Sequence, residues 1–160
     1  MQEADNPPSV NQQEPDYLKL VGLAAVHHSH LDYCIRKVIY RLAEVQSVVG
    51  EKITHYQTTK ALLGTLKRLV DARVPNPSLK KAFLVFITDA RRANDLRNDV
   101  VHGLWASDEL GRGIRIGKMR TISPLNLEQL PDMELSDLKK LIRHFERLID
   151  ESMRLLDQLQ

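Results

Sequence analysis

NPSLKKAFLVFITDARRANDLRNDVVHG, residues 76–103, is the stretch that decides the fold. Asn76 is an N-cap residue type, and the fixed φ of Pro77 suits a first helical position, so a helix starts here. Leu79, Phe83, Phe86, Ile87, Ala90, Ala93, Leu96, Val100 and Val101 then recur at helical spacing and form one apolar stripe. Gly103 closes the stretch with the residue that most easily takes the left-handed conformation after a helix end. A helix with a single apolar stripe must bury it against others of its kind.

The flanking sequence supplies them. Upstream, Asp16 is a candidate N-cap, and Leu20, Leu23, Ala24, His27, Leu31, Cys34, Ile35, Val38, Leu42 and Val45 keep a period near 3.6, so a first helix is expected over about 17–47. A second is expected over 59–73, with Leu62, Leu63, Leu66, Leu69 and Val70 as its inner stripe, and the Val74–Ser78 segment breaks the chain. Downstream, Gly111, Gly113, Gly117, Ile114, Ile116 and Ile122 suggest a short β-hairpin or extended arm over 104–122, turning near 108–113. A Pro-containing linker, 123–135, leads to a last helix capped near Ser136, with Leu138, Leu141, Ile142, Phe145, Leu148, Ile149, Ser152, Leu155, Leu156 and Leu159 on its stripe. The expected fold is all-α: a four-helix, up-down bundle with a short arm between helices three and four.

The totals fit this. A chain of 160 residues with 42% hydrophobic and 28% charged residues can bury one core without staples. The expected organisation is a disordered N-terminal tail, 1–15, rich in Pro, Gln, Asn and acid, followed by a single domain over 16–160. No apolar signal core or spanning run is visible, so a cytoplasmic, non-membrane protein is expected. The net charge of +2 is too small to imply nucleic-acid binding by itself. Cys34 stands alone, which excludes an intramolecular disulfide and a cysteine-rich metal cage. No cofactor motif is present: there is no phosphate-binding glycine loop of the required spacing and no serine nucleophile elbow.

The chemistry concentrates at the end of the third helix. At about 100° per residue, Arg91, Asp95, Asn98 and His102 fall within roughly 60° of arc, while Arg97 lies about 140° from His102. Arg97 and His102 therefore diverge on a straight helix. They can meet through a distorted helix end or across a two-fold axis. The plain alternative is a solvated charged face with pairs such as Arg91–Asp95. In the arm, Arg112, Arg115, Lys118 and Arg120 are four cations without an acid, suited either to phosphate contacts or to a charged edge strand. Trp105 can stack on a base, or simply plug the helix end. The run His27-His28-Ser29-His30 places His28 and Asp32 four residues apart on one helix. Two ligands do not make a metal site, so these histidines read as core or interface residues. Cys34 reads as buried and inert.

Arg97-Asn98-Asp99-Val100-Val101-His102, followed by Gly103-Leu104-Trp105, resembles the motif of the HEPN superfamily, in which an Arg and a polar residue, usually Asn, precede a His four to six positions after the Arg. Leu20–Val26 and Leu31–Ile35 resemble the opening helix of a bacterial branch of small HEPN-like proteins. The resemblance implies a helical homodimer whose two motifs share a cleft and cut RNA without a metal. Arg97 would grip the phosphate, Asn98 would orient, and His102 from each protomer would serve as base or acid. It further implies RNA as substrate and, in toxin systems, a cognate antitoxin protein. The alternative is a non-catalytic helical dimer module that binds a nucleotide, an RNA or a partner protein at the same cleft. A helical DNA-binding regulator is weaker, because no helix-turn-helix spacing is visible.

Overall fold

A computed structural model describes residues 15–107, 113–118 and 135–159, with side chains over 18–102 and 135–159. The fold is helical. Among the described residues there are five helices: α1 (Pro15–Ala43), α2 (Ser47–Thr54), α3 (Thr59–Arg73), α4 (Pro77–Val101) and α5 (Leu135–Asp157). The backbone of Gly103–Ser107 (β1) pairs antiparallel with that of Gly113–Lys118 (β2). Apart from Pro15, where α1 begins, the N-terminal tail lies outside the described residues, as do residues 108–112 of the turn expected near 108–113 and most of the linker expected before α5. No described helix is long and apolar enough to cross a membrane.

The local signals act as their chemistry dictates. Asn76 Oδ1 accepts from the N–H groups of Ser78 (2.9 Å) and Leu79 (3.2 Å), and Pro77 follows it as the first residue of α4. Thr58 caps α3 through the N–H of Ala61. The core is aliphatic with three phenylalanines. Leu31, Ile35 and Val38 of α1 meet Leu62, Leu63, Leu66 and Val70 of α3, Phe83 and Phe86 of α4, and Leu138, Phe145 and Leu155 of α5. Each such side chain contributes about 1.5–3 kcal/mol on leaving water.

Two expectations are corrected. The first helix ends at Ala43, not near 47, and a separate short helix, α2, follows it. Its sequence hid it, because its inward contacts are Gly50 and Thr54, while Val48, Val49 and Ile53 are exposed. The direction of the helices also differs from a simple alternation. Thr59 meets His28 and Asp32 near the start of α3, and Arg73 meets Glu44 near its end, so α1 and α3 run parallel. The short α2 has already carried the chain back. His27–Glu146 (3.8 Å) and Arg41–Leu159 (3.4 Å) make α5 parallel to α1 as well. Asp71–Lys80 (3.0 Å), with Thr59 and Asn94 both at His28, makes α4 antiparallel to α3. The four long helices pack in a ring, α1–α3–α4–α5 and back to α1.

The α1–α2 contact depends on the absence of a side chain. A Cβ at Gly50 would lie 2.4 Å from the Tyr40 ring, whose hydroxyl is fixed to Thr54 Oγ1 at 2.8 Å. Gly50→Ala therefore forces the ring or α2 to move and is expected to cost about 1–3 kcal/mol. Gly22, in mid-helix, gives the control, since a Cβ there would meet nothing within 4 Å. Gly22→Ala should stabilise by about 0.5–1 kcal/mol. Denaturant unfolding of both variants checks the pair, and equal effects would contradict the packing.

Candidate functional site at the end of α4

The last turns of α4 present two faces. His102 is exposed at the C-cap, its backbone N–H donating to the Asn98 carbonyl at 3.0 Å. Arg91 and Asp95 are exposed on the same side. Arg97 turns the other way and is half-buried, near the buried Ala93 and Asn94. Its Nη1 donates to Asn98 Oδ1 at 3.2 Å. Its Nε is buried without a hydrogen-bond partner among the described residues. No described hydrogen bond or ion pair joins Arg97 to His102, so within one chain the structure couples Arg97 with Asn98 and leaves His102 apart.

Behind Arg97 lies a buried polar network that sequence reasoning missed as a unit. His28 Nε2 is 3.1 Å from Asn94 Oδ1 and 3.1 Å from Thr59 Oγ1. The Thr59 hydroxyl donates its one proton to Asp32 Oδ2 at 3.1 Å, so toward His28 it can only accept. Asn94 Oδ1 is also an acceptor. His28 Nε2 therefore carries the proton and donates to both. His28, Thr59 and Asn94 are each less than a tenth exposed. Burial holds the His28 pKa below its ordinary value; Asp32 and the Asn94 bond oppose this, and the nearby Arg97 charge adds to it. The signal available in sequence was only the His28–Asp32 spacing. That pair is joined through Thr59 rather than aimed at a shared ion, and among the described residues no group of three His, Cys, Asp or Glu side chains is assembled at metal-ligand spacing.

The other candidate positions divide. His27, placed by its spacing on the apolar stripe, is only partly buried and lies 3.8 Å from Glu146; the core histidine is His28, and His30 is exposed. Cys34 is buried, and burial raises its thiol pKa, which suits an inert core residue. The register of the strand pair sets Trp105 opposite Arg115 and Gly103 opposite Lys118. Because Leu104 pairs with Gly117 and Trp105 with Arg115, β2 carries the extra residue, Ile116. Arg112 and Arg120 lie outside the described residues. No protein-family model, no curated protein and no solved structure matches the chain.

His28 has a consequence for stability. A histidine held neutral by the fold takes up its proton more readily when unfolded, so its stabilising effect is complete above the ordinary value of 6.5 and declines as pH falls through and below it. His144, depressed mainly by burial and secondarily by Arg147, acts in the same direction. The protein should lose stability on acidification from pH 7 to 5. His28→Gln should show a visibly shallower dependence of unfolding free energy on pH. Denaturant titrations across that range measure it; an unchanged slope would remove His28 from this role.

Proposed function

We propose that the protein is a HEPN-like, metal-independent endoribonuclease of toxin or defence type, working as a homodimer. One observation carries this reading: His102 is exposed at the end of α4, while on another side of the same helix end the Arg97 guanidinium is already braced on Asn98. Cleavage of RNA by its own 2′-hydroxyl needs a base for that hydroxyl, an acid for the leaving 5′-oxygen and a cation for the phosphate. His102 is the motif residue whose side chain can serve as base or acid. Arg97 offers the bidentate fork that suits a phosphate, with Asn98 holding it. Because Arg97 and His102 face different sides of α4, a second protomer would bring its own His102 to the site. The strand pair follows His102 directly, and in this reading Trp105, Arg112, Arg115, Lys118 and Arg120 would contact the RNA. In this reading the four long helices and the arm form one bundle domain, and a cognate antitoxin protein would cover the cleft.

The inward placement of Arg97, within the electrostatic reach of buried His28, favours a second reading. In it Arg97 is part of the scaffold, and the end of α4 binds a nucleotide, an RNA or a partner protein without turnover.

Incubation with structured and unstructured RNA in EDTA separates the two. The wild type should cleave. His102→Ala should lose about 10²–10⁴-fold in rate, the range of a general acid–base contribution. Arg97→Lys, which keeps the charge but not the fork, should also be impaired. Inactive wild type that still binds RNA would establish the binding module, and a metal requirement would overturn the proposed mechanism.

A further inference from the structure

The outward face of α1 is unusual for a surface helix. At about 100° per residue, the buried Ala24, Leu31, Ile35, Val38 and Leu42 centre on one side of the helix. The opposite arc, about 140° wide, carries Leu18, Leu23, Val26 and Tyr33, all exposed, with Val26 64% open to solvent. A surface helix normally sets charged residues there. Ser29 lies on the same arc and turns its hydroxyl back to the Ala25 carbonyl at 3.0 Å, so it asks for no outside partner. The charges on the arc stand at its two ends and have one sign: Lys19 at the start, and Arg36, Lys37 and Arg41 toward the finish. Asp32, the acid within that stretch, lies off the arc and accepts from Thr59. Among the described residues Lys19, Arg36 and Lys37 make no ion pair.

At its C-terminal end this face already packs against a helix. Tyr40 lies on the same arc, and α2 runs back across it, close enough for Gly50 to meet the ring. Between the two helices is a cleft of about 350 Å³, walled by Tyr33, Arg36 and Lys37 on one side and by Ser47 and Glu51 on the other. Leu18, Leu23 and Val26 remain uncovered.

We propose that this face docks an acidic amphipathic helix of a partner protein. The apolar centre takes the partner's apolar stripe, and the cations at the two ends take its carboxylates. From Lys19 to Lys37 is about 27 Å at the helical rise, so the partner helix has about five turns. Charge selects this occupant. A second copy of the face, in either orientation, would set the end cations of one protomer against those of the other, and like charges across an interface are strongly disfavoured. Residues 2–14 of the chain bring acids but one large aliphatic side chain, Val10, too few for the stripe. A bilayer presents no ridge to fill the α1–α2 cleft, whereas the side chains of a helix do.

Fluorescence anisotropy with the full chain tests this, using two labelled helical peptides of about five turns. Both carry the same leucine stripe, flanked by glutamates in one and by lysines in the other. The glutamate peptide should bind at least about tenfold more tightly, and the difference should shrink as salt rises. Val26→Asp, at an exposed position, should weaken that binding about tenfold or more with an unchanged thermal midpoint. Lys19→Glu combined with Lys37→Glu should reverse the preference between the peptides, which a loss of folding cannot do. Four results would overturn the proposal: neither peptide binding or both binding equally, Val26→Asp binding as the wild type does, binding to phosphatidylserine–phosphatidylcholine vesicles in place of the glutamate peptide, or a dimer that excludes the peptide and that Val26→Asp dissociates. The third would make the face a lipid-binding surface and the fourth an interface between copies of the chain. None of them bears on RNA cleavage at the end of α4.

Discussion

The imidazole of His28 touches every long helix. It belongs to α1, donates to Thr59 of α3 and Asn94 of α4, and stands edge-on to Phe145 of α5 with ring centres 5.8 Å apart. Each net hydrogen bond here is worth only about 0.5–1.5 kcal/mol, but leaving one of these buried groups unpaired costs about 1–3 kcal/mol. A helix that slid by a turn would still offer apolar residues to the aliphatic core. The polar network cannot accept the slip, because it would strand His28, Thr59 and Asn94 together. The apolar stripes thus provide most of the stability, and this small network fixes which register they adopt.

That register also decides what the end of α4 can present. Asn94 must point inward to reach His28, and Arg97, three residues on, lies beside it. His102 is turned out by the same helical geometry. The inward pull on one face and the exposure of the other are one constraint seen twice. The parallel course of α1 and α3 follows from it as well. Thr59 can reach His28 and Asp32 only if the chain travels back down α1 first, and α2 accomplishes this in a single short element whose close approach rests on Gly50 against Tyr40.

Much of this was legible in sequence where chemistry is local. The Asn76–Pro77 start, the stripes of α3, α4 (except Leu96, which is exposed) and α5, and the divergence of Arg97 from His102 all follow from spacing. What could not be read was non-local or carried by small residues. α2 shows no apolar stripe facing inward, because glycine and threonine make its contacts, so periodicity is blind to it. The network draws its members from three helices at separations up to 66 residues, and each alone resembles an ordinary polar residue. His28 was visible only as part of a histidine run. Nothing short of the packed structure distinguishes it from His27 or His30.

The electrostatics of Arg97 join these strands. Its charge helps hold His28 neutral, and a neutral His28 in turn leaves Arg97 without a second cation pressed against it. Protonating His28 would disfavour both, and Asp32, bridged through Thr59, offsets only part of that cost. Arg97 is held on one side by Asn98, and its buried Nε has no hydrogen-bond partner among the described residues. The same arrangement ties Arg97 to the core and leaves it half-buried at the end of α4. A scaffold role and a phosphate-binding role are therefore not opposed for this residue: the first supplies the rigidity that the second would use.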